Sequence, residues 1–189
     1  IYEFVLEKIH IYLQYEDSSL FSSIMISLHS IASSIASNFI DLIDPETLFV
    51  SIIRILEIEF NDIEKETAVY SSIVEAKEKA LLLLDALARN KPEYILPSIS
   101  NIAPLVISNF NSAEEEYLQL KAGLKATISI AQILSKLEDQ EVFTMYVKKM
   151  IEILGENFED RKSSIVSLSF KGFTKLISLG LPLDPSIIS

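Results

Sequence analysis

Cysteine is absent from this 189-residue sequence, and residues that form turns are scarce. Without cysteine there is no disulfide framework, zinc finger or cysteine nucleophile, and a reducing compartment is permitted. Four glycines and six prolines are too few for a many-stranded sheet in a chain that is 49 % hydrophobic. The composition therefore predicts an all-α protein that needs no metal to fold.

Basic residues are also in short supply, with 16 lysines and arginines against 27 acidic residues and a net charge of -11. This charge repels phosphates, and no basic stripe alternates with aromatic residues, so we expect no direct binding of nucleic acid. An acidic surface suits solubility, and it equally suits attraction of basic protein partners.

One uncharged run, residues 18–40, is long enough to raise the question of a membrane span. Its serines recur at spacings of three and four, opposite Leu20, Ile24 and Leu28, which is typical of a half-buried helix. We therefore expect no membrane insertion. The chain opens at Ile1 with sequence typical of a helix interior, which suggests a fragment of a longer protein.

Helical periodicity, capping residues and prolines predict eight helical segments. They cover about residues 1–15, 18–40, 46–60, 70–89, 92–110, 113–137, 140–154 and 160–179. Pro92 is placed in the first turn of the fifth segment, Pro104 is expected to kink it, and Gly155 is expected to end the seventh. Seven phenylalanines are predicted core residues: Phe21, Phe39, Phe49, Phe60, Phe110, Phe143 and Phe170.

The helix starts near Ser18, Tyr70, Ala113 and Asp160 recur at a roughly constant interval. HEAT and armadillo arrays repeat their helices every ~40–47 residues. Eight segments in sequential order fit an α-solenoid better than a four-helix bundle. We therefore expect about four HEAT-like antiparallel helix pairs in one right-handed superhelical unit over residues 1–189, with an acidic connection over about residues 57–68.

Residue types used in catalysis or metal binding form no motif. His10 and His29 lie on different predicted helices and have no HExxH partner. The glycines are isolated, and no GxSxG turn is present. We predict no catalytic, cofactor-binding or metal-binding residue and expect a protein that is not an enzyme. A helical enzyme with a buried carboxylate site is a further alternative, which a deep polar pocket would favour.

A family resemblance is carried by residues 68–110, AVYSSIVEAKEKALLLLDALARNKPEYILPSISNIAPLVISNF. This passage resembles the importin-β superfamily, and within it the large karyopherins of the importin-4 and importin-5 type. The matching residues are Glu75, Lys77, Glu78, Ala80, Leu84, Ala88, Tyr94 and Pro104. Two later segments, EEEYLQLKAGLKATISIAQIL and EDRKSSIVSLSFKGFTKLISLGLPLD, resemble later helices of the family.

The resemblance implies a nuclear transport receptor that shuttles between cytoplasm and nucleus through the nuclear pore. It implies that cargo proteins with basic signals and the GTP-bound small GTPase Ran bind the concave face, and that phenylalanine–glycine nucleoporins bind the convex face. Helices over 46–59, 92–110 and 140–154 would be inner, and those over 70–89 and 114–136 outer. Four acidic residues on or beside the inner helices are predicted to attract lysine-rich cargo: Glu57, Glu59, Asp62 and Glu141.

The alternative function is that of a HEAT-repeat scaffold subunit in another assembly, trafficking or phosphatase-regulatory complex. For each of the four acidic residues the alternative to cargo binding is that it only keeps the solenoid soluble. Binding of Ran and of nucleoporins separates the two hypotheses.

Overall fold

A computed structural model of the protein describes residues 45–58, 68–111, 117–137, 140–156 and 163–178. Within these ranges the chain is all-helical, as the composition predicts, and contains no strand. The six α-helices are α1 (Pro45–Leu56), α2 (Ala68–Asn90), α3 (Ile99–Asn111), α4 (Tyr117–Leu134), α5 (Gln140–Glu156) and α6 (Ser163–Ser178). The predicted helices over residues 1–15 and 18–40 lie outside the described residues.

The start of the predicted helix at Pro92 is wrong. Residues 92–98 form two 3₁₀ turns, Pro92–Tyr94 and Leu96–Ser98, in which the Ile95 N–H donates to the Pro92 carbonyl at 3.0 Å. Pro97 explains the difference, because it lacks an N–H and its ring clashes with the carbonyl four residues earlier in an α-helix. The α-helical hydrogen-bond ladder therefore begins only at Ile99.

The predicted helix end at Gly155 is also wrong, since α5 continues through Gly155 to Glu156. Glycine favours helix ends because it tolerates left-handed backbone, but it is not obliged to end a helix. A Cβ atom added at Gly155 would meet nothing within 4 Å. The position is thus an open place on the helix surface.

The helices contact one another in series. The most extensive contact joins α2 to α4, and the next joins α3 to α4. Further extensive contacts join α1 to α2, α1 to α3, α3 to α5, α4 to α5, α4 to α6 and α5 to α6. Among the described helices, each extensive contact therefore joins partners that are one or two places apart along the chain.

A continuous apolar core runs through all six helices. Fully buried members include Ile52, Leu84, Phe110, Ile130, Met150 and Leu176. Phe49 and Phe143 are buried as predicted, but Phe170 is 61 % exposed, so its predicted core position is wrong. On a helix of about 100° per residue, Phe170 lies nearly opposite Gly172, through which α6 packs. Phe21, Phe39 and Phe60 lie outside the described residues.

Two glycines allow close helix contacts. A Cβ atom on Gly123 of α4 would lie 3.2 Å from the Phe110 Cα atom of α3. A Cβ atom on Gly172 of α6 would lie 2.8 Å from Leu154 Cδ2 of α5 and 3.1 Å from Leu124 Cδ1 of α4. The lack of a side chain at these positions lets the helix backbones approach each other.

The uncharged run at residues 18–40 lies outside the described residues. None of the six described helices combines the length and the hydrophobicity that crossing a bilayer requires.

Candidate functional site

Two of the four predicted protein-binding residues lie in the described part of the chain. Glu57 is exposed in the turn after α1, and Glu141 is exposed in the first turn of α5. Both α1 and α5 pack against α3, so the helices that carry these two carboxylates flank a common neighbour. Glu59 and Asp62 lie outside the described residues.

Side chains from two other helices hold the end of α1, beside Glu57. The Leu56 carbonyl accepts hydrogen bonds from Lys77 Nζ of α2 at 3.3 Å and from Asn109 Nδ2 of α3 at 2.9 Å. Lys77 Nζ also donates to Asn109 Oδ1 at 3.1 Å. The last carbonyls of a helix have no partner within it, and here two neighbouring helices supply one. This polar cluster fixes the point at which Glu57 leaves α1.

Lys77 and Asn109 were not predicted as site residues, although both are almost fully buried, at 4 % and 3 % exposed. A charged residue in a helix usually faces water. The available signal was position, because Lys77 follows Ile73 by four residues and precedes Ala80 by three, and both of these are buried. Helical spacing therefore places the lysine on the apolar face.

A second polar cluster joins α2 to α4. The buried Asp85 carboxylate accepts a hydrogen bond from Ser129 Oγ at 2.6 Å. Arg89, one turn further along α2, donates to both carboxylate oxygens, from Nε at 3.1 Å and from Nη2 at 2.6 Å. Paired charge and hydrogen bonds offset the cost of burying a carboxylate. These partners give Asp85 a structural role at the largest helix contact.

A pair of hydroxyl groups lies at the contact between α4 and α5. Thr127 Oγ1 and the Tyr146 hydroxyl are buried, and neither makes a hydrogen bond of good geometry within the described residues. Burial raises the pKa of Tyr146 above its ordinary value, and the neighbouring Thr127 hydroxyl partly opposes that shift. The Tyr146 hydroxyl therefore stays protonated. It is a buried polar group without a well-formed hydrogen bond.

The surface around Glu141 combines a carboxylate with apolar side chains. Val142 is exposed on α5, and Met145, one turn further, is 66 % exposed. Methionine is enriched at protein interfaces because its flexible side chain adapts to different partners. The first two turns of α5 therefore offer both an electrostatic and an apolar contact to a protein ligand.

Over the described ranges, no three histidine, aspartate or glutamate side chains are grouped so as to hold a metal ion. His10 and His29 lie outside those ranges.

Comparison of the chain with models of known protein families, with curated proteins and with solved structures finds no match. The resemblance of residues 68–110 to the importin-β superfamily is therefore a hypothesis that rests on sequence motifs alone.

Proposed function

We propose that this chain is an α-solenoid of HEAT-like helix pairs that binds other proteins and catalyses no reaction. One observation carries the proposal: each extensive contact of the described helices joins partners one or two places apart in sequence. Repeat arrays have this property because every unit packs only on its neighbours. A bundle around one central core would also bring distant helices together.

The contacts α1 to α3 to α5 and α2 to α4 to α6 support two parallel rows of helices in such an array. The first row corresponds to the helices assigned as inner by the family resemblance, and the second row to those assigned as outer. Extended rows of helices expose long surfaces, which repeat proteins use to bind partners.

We further propose that the array serves in a nuclear transport receptor of the importin-β type. The resemblance over residues 68–110 supports this step, and four of its matching residues, Lys77, Ala80, Leu84 and Ala88, are buried where α2 packs. Acidic groups on the first row, represented by Glu57 and Glu141, are suited to attract lysine-rich cargo signals through complementary charge. Ran in its GTP form would release that cargo, and phenylalanine–glycine nucleoporins would bind the second row.

The test measures binding of a fluorescent lysine-rich signal peptide to the purified chain by anisotropy, with and without Ran locked in its GTP form. We expect the peptide to bind and added Ran to release it. Charge reversal by Glu57→Lys or Glu141→Lys should weaken peptide binding by about three- to tenfold. Glu75→Lys on α2 is the matched control, because Glu75 is exposed on the other row of helices.

The outcomes separate the hypotheses. Peptide binding that responds to Glu57 and Glu141 but not to Ran would replace the transport function by that of a scaffold in another assembly. Equal weakening by the Glu75 control would show that only net charge matters, and would remove the proposed cargo surface.

A further inference from the structure

Four exposed lysines lie on α4 and α6, and these two helices contain no acidic residue. Lys121 and Lys125 belong to α4, and Lys171 and Lys175 belong to α6. In a chain with 27 acidic and 16 basic residues, two adjacent helices with only positive charge are unexpected. The second row of helices thus carries a local charge opposite in sign to that of the whole protein.

The lysines flank a direct contact between the two helices. A Cβ atom placed on Gly172 would lie 3.1 Å from Leu124 Cδ1, so α4 and α6 meet at these residues. Lys125 follows Leu124 in the chain, and Lys171 precedes Gly172. Each helix therefore presents its lysines within about one turn of the contact.

Helix geometry places all four lysines on the same side of that contact. Both α4 and α6 pack against α5, and only a few residues of sequence separate each of them from it. Short connections favour antiparallel neighbours, so we infer that α4 and α6 both run opposite to α5 and thus in the same direction. At about 100° per residue, Lys121 and Lys125 lie roughly 60° and 100° from Leu124 in one rotational sense. Lys175 and Lys171 lie roughly 60° and 100° from Gly172 in the opposite sense. When two parallel helices face each other, rotating away from their contact in opposite senses on the two helices leads to the same side of the pair.

This side faces away from α5. Thr127, which neighbours Tyr146 of α5, lies about 60° from Leu124 in the sense opposite to the lysines. Leu118 is exposed and lies about 120° from Leu124 in the same sense as the lysines. The surface therefore combines four positive charges with the exposed apolar side chain of Leu118.

We propose that this lysine surface, formed by Lys121, Lys125, Lys171 and Lys175, docks a short acidic segment of a partner protein, with an apolar residue of that segment against Leu118. Charge complementarity identifies the occupant. Fields in physiological salt extend only ~8 Å, so a short peptide responds to the local lysines. A long polyanion would also meet the repulsion of a protein with net charge -11. The inference does not depend on the proposed transport function.

The experiment uses a fluorescent peptide of glutamates with leucine at every fourth position, titrated with the whole chain and followed by anisotropy. Lys121→Glu/Lys125→Glu and Lys171→Glu/Lys175→Glu should each weaken binding by about tenfold or more. Lys148→Glu/Lys149→Glu on α5 is the matched control, because it changes the net charge equally at two exposed lysines. The control should change the affinity by less than about threefold. Neutral Lys→Gln versions of the two test variants should give intermediate losses, provided that circular dichroism shows native helicity.

Three results would overturn the proposal. The unaltered chain could fail to bind the acidic peptide at low salt, or the α5 control could weaken binding as much as the α4 variant does. Alternatively, duplex DNA or vesicles containing phosphatidylserine could bind more tightly than the peptide with the same dependence on the four lysines, which would assign the surface to another polyanion.

Discussion

The Tyr146 hydroxyl gives the sharpest test of the packing between α4 and α5. Burying a hydroxyl without a hydrogen bond costs about 1–3 kcal/mol, and the Tyr146 hydroxyl has no partner of good geometry in the described residues. Tyr146→Phe removes that group and keeps the ring. We expect the free energy of unfolding at neutral pH to stay constant or to rise by up to ~1 kcal/mol, which corresponds to a gain in Tm of about 2–4 °C.

Alkaline pH adds a second, independent readout. Burial raises the pKa of Tyr146 above the ordinary value of 10.0, so the unfolded chain releases this proton at a lower pH than the folded chain does. The stability that the buried, protonated Tyr146 contributes is fully present below pH 10.0. It is lost as the pH rises above that value, because the unfolded state then binds fewer protons than the folded state. One pH unit above that value, the unaltered chain should have lost about 1.4 kcal/mol relative to Tyr146→Phe.

Urea unfolding followed by far-UV circular dichroism measures both effects. Tyr117→Phe is the control, since Tyr117 lies at the surface and is 36 % exposed. A loss of more than about 1 kcal/mol at neutral pH in Tyr146→Phe would refute the reasoning, because it would mean that the hydroxyl makes a stabilising bond. Equal alkaline slopes for the Tyr146 variant and the unaltered chain would refute the burial argument.

Four further substitutions are read from the same unfolding curves, and three of them change a contact between helices. Gly155→Ala should raise stability by about 0.5 kcal/mol, because the site is open and alanine favours the helix, whereas Gly123→Ala should lower it by ~1 kcal/mol, because its Cβ would press on the backbone of α3. If Gly123→Ala stabilised as much as Gly155→Ala, α3 and α4 would not be in close contact. Ser129→Ala should cost about 1.5–3 kcal/mol through loss of the hydrogen bond to Asp85; a change below about 0.5 kcal/mol would contradict that bond. Asn109→Ala should cost about 2 kcal/mol, since the last carbonyl of α1 loses a buried donor, and an increase in amide exchange confined to α3 would argue against this link.

The presence of the helices could be predicted from the sequence because it depends on local patterns of residues. The prediction of 70–89 for α2 differs from Ala68–Asn90 by one or two residues at each end, since apolar spacing and strong helix formers act within one segment. The error at Pro92 was local too. Pro92 suits a first helical turn, and Pro97 was expected to fit within the first two turns, but its missing N–H and its ring disfavour an α-helical ladder that begins at Pro92.

Side-chain partners could not be predicted, because they depend on which helices become neighbours. Lys77 meets Asn109 and Leu56, which are 32 and 21 residues away. Phe170 was assigned to the core on hydrophobicity alone, and its exposure depends on which face of α6 packs. The four lysines of α4 and α6 were likewise visible as residues, but only the contact at Leu124 and Gly172 brings them to one surface.

The Leu56 carbonyl, the hydrogen-bond acceptor at the end of α1, also affects the order in which the chain can fold. Helix arrays in which each unit packs only on its neighbours are able to unravel from an end one unit at a time. The Leu56 carbonyl takes its donors from α2 and α3 together, so this terminal acceptor of α1 gains both of its hydrogen bonds only after both of those helices have docked. Removal of either donor should loosen α1 first, because the polar cluster links the end of α1 to both α2 and α3.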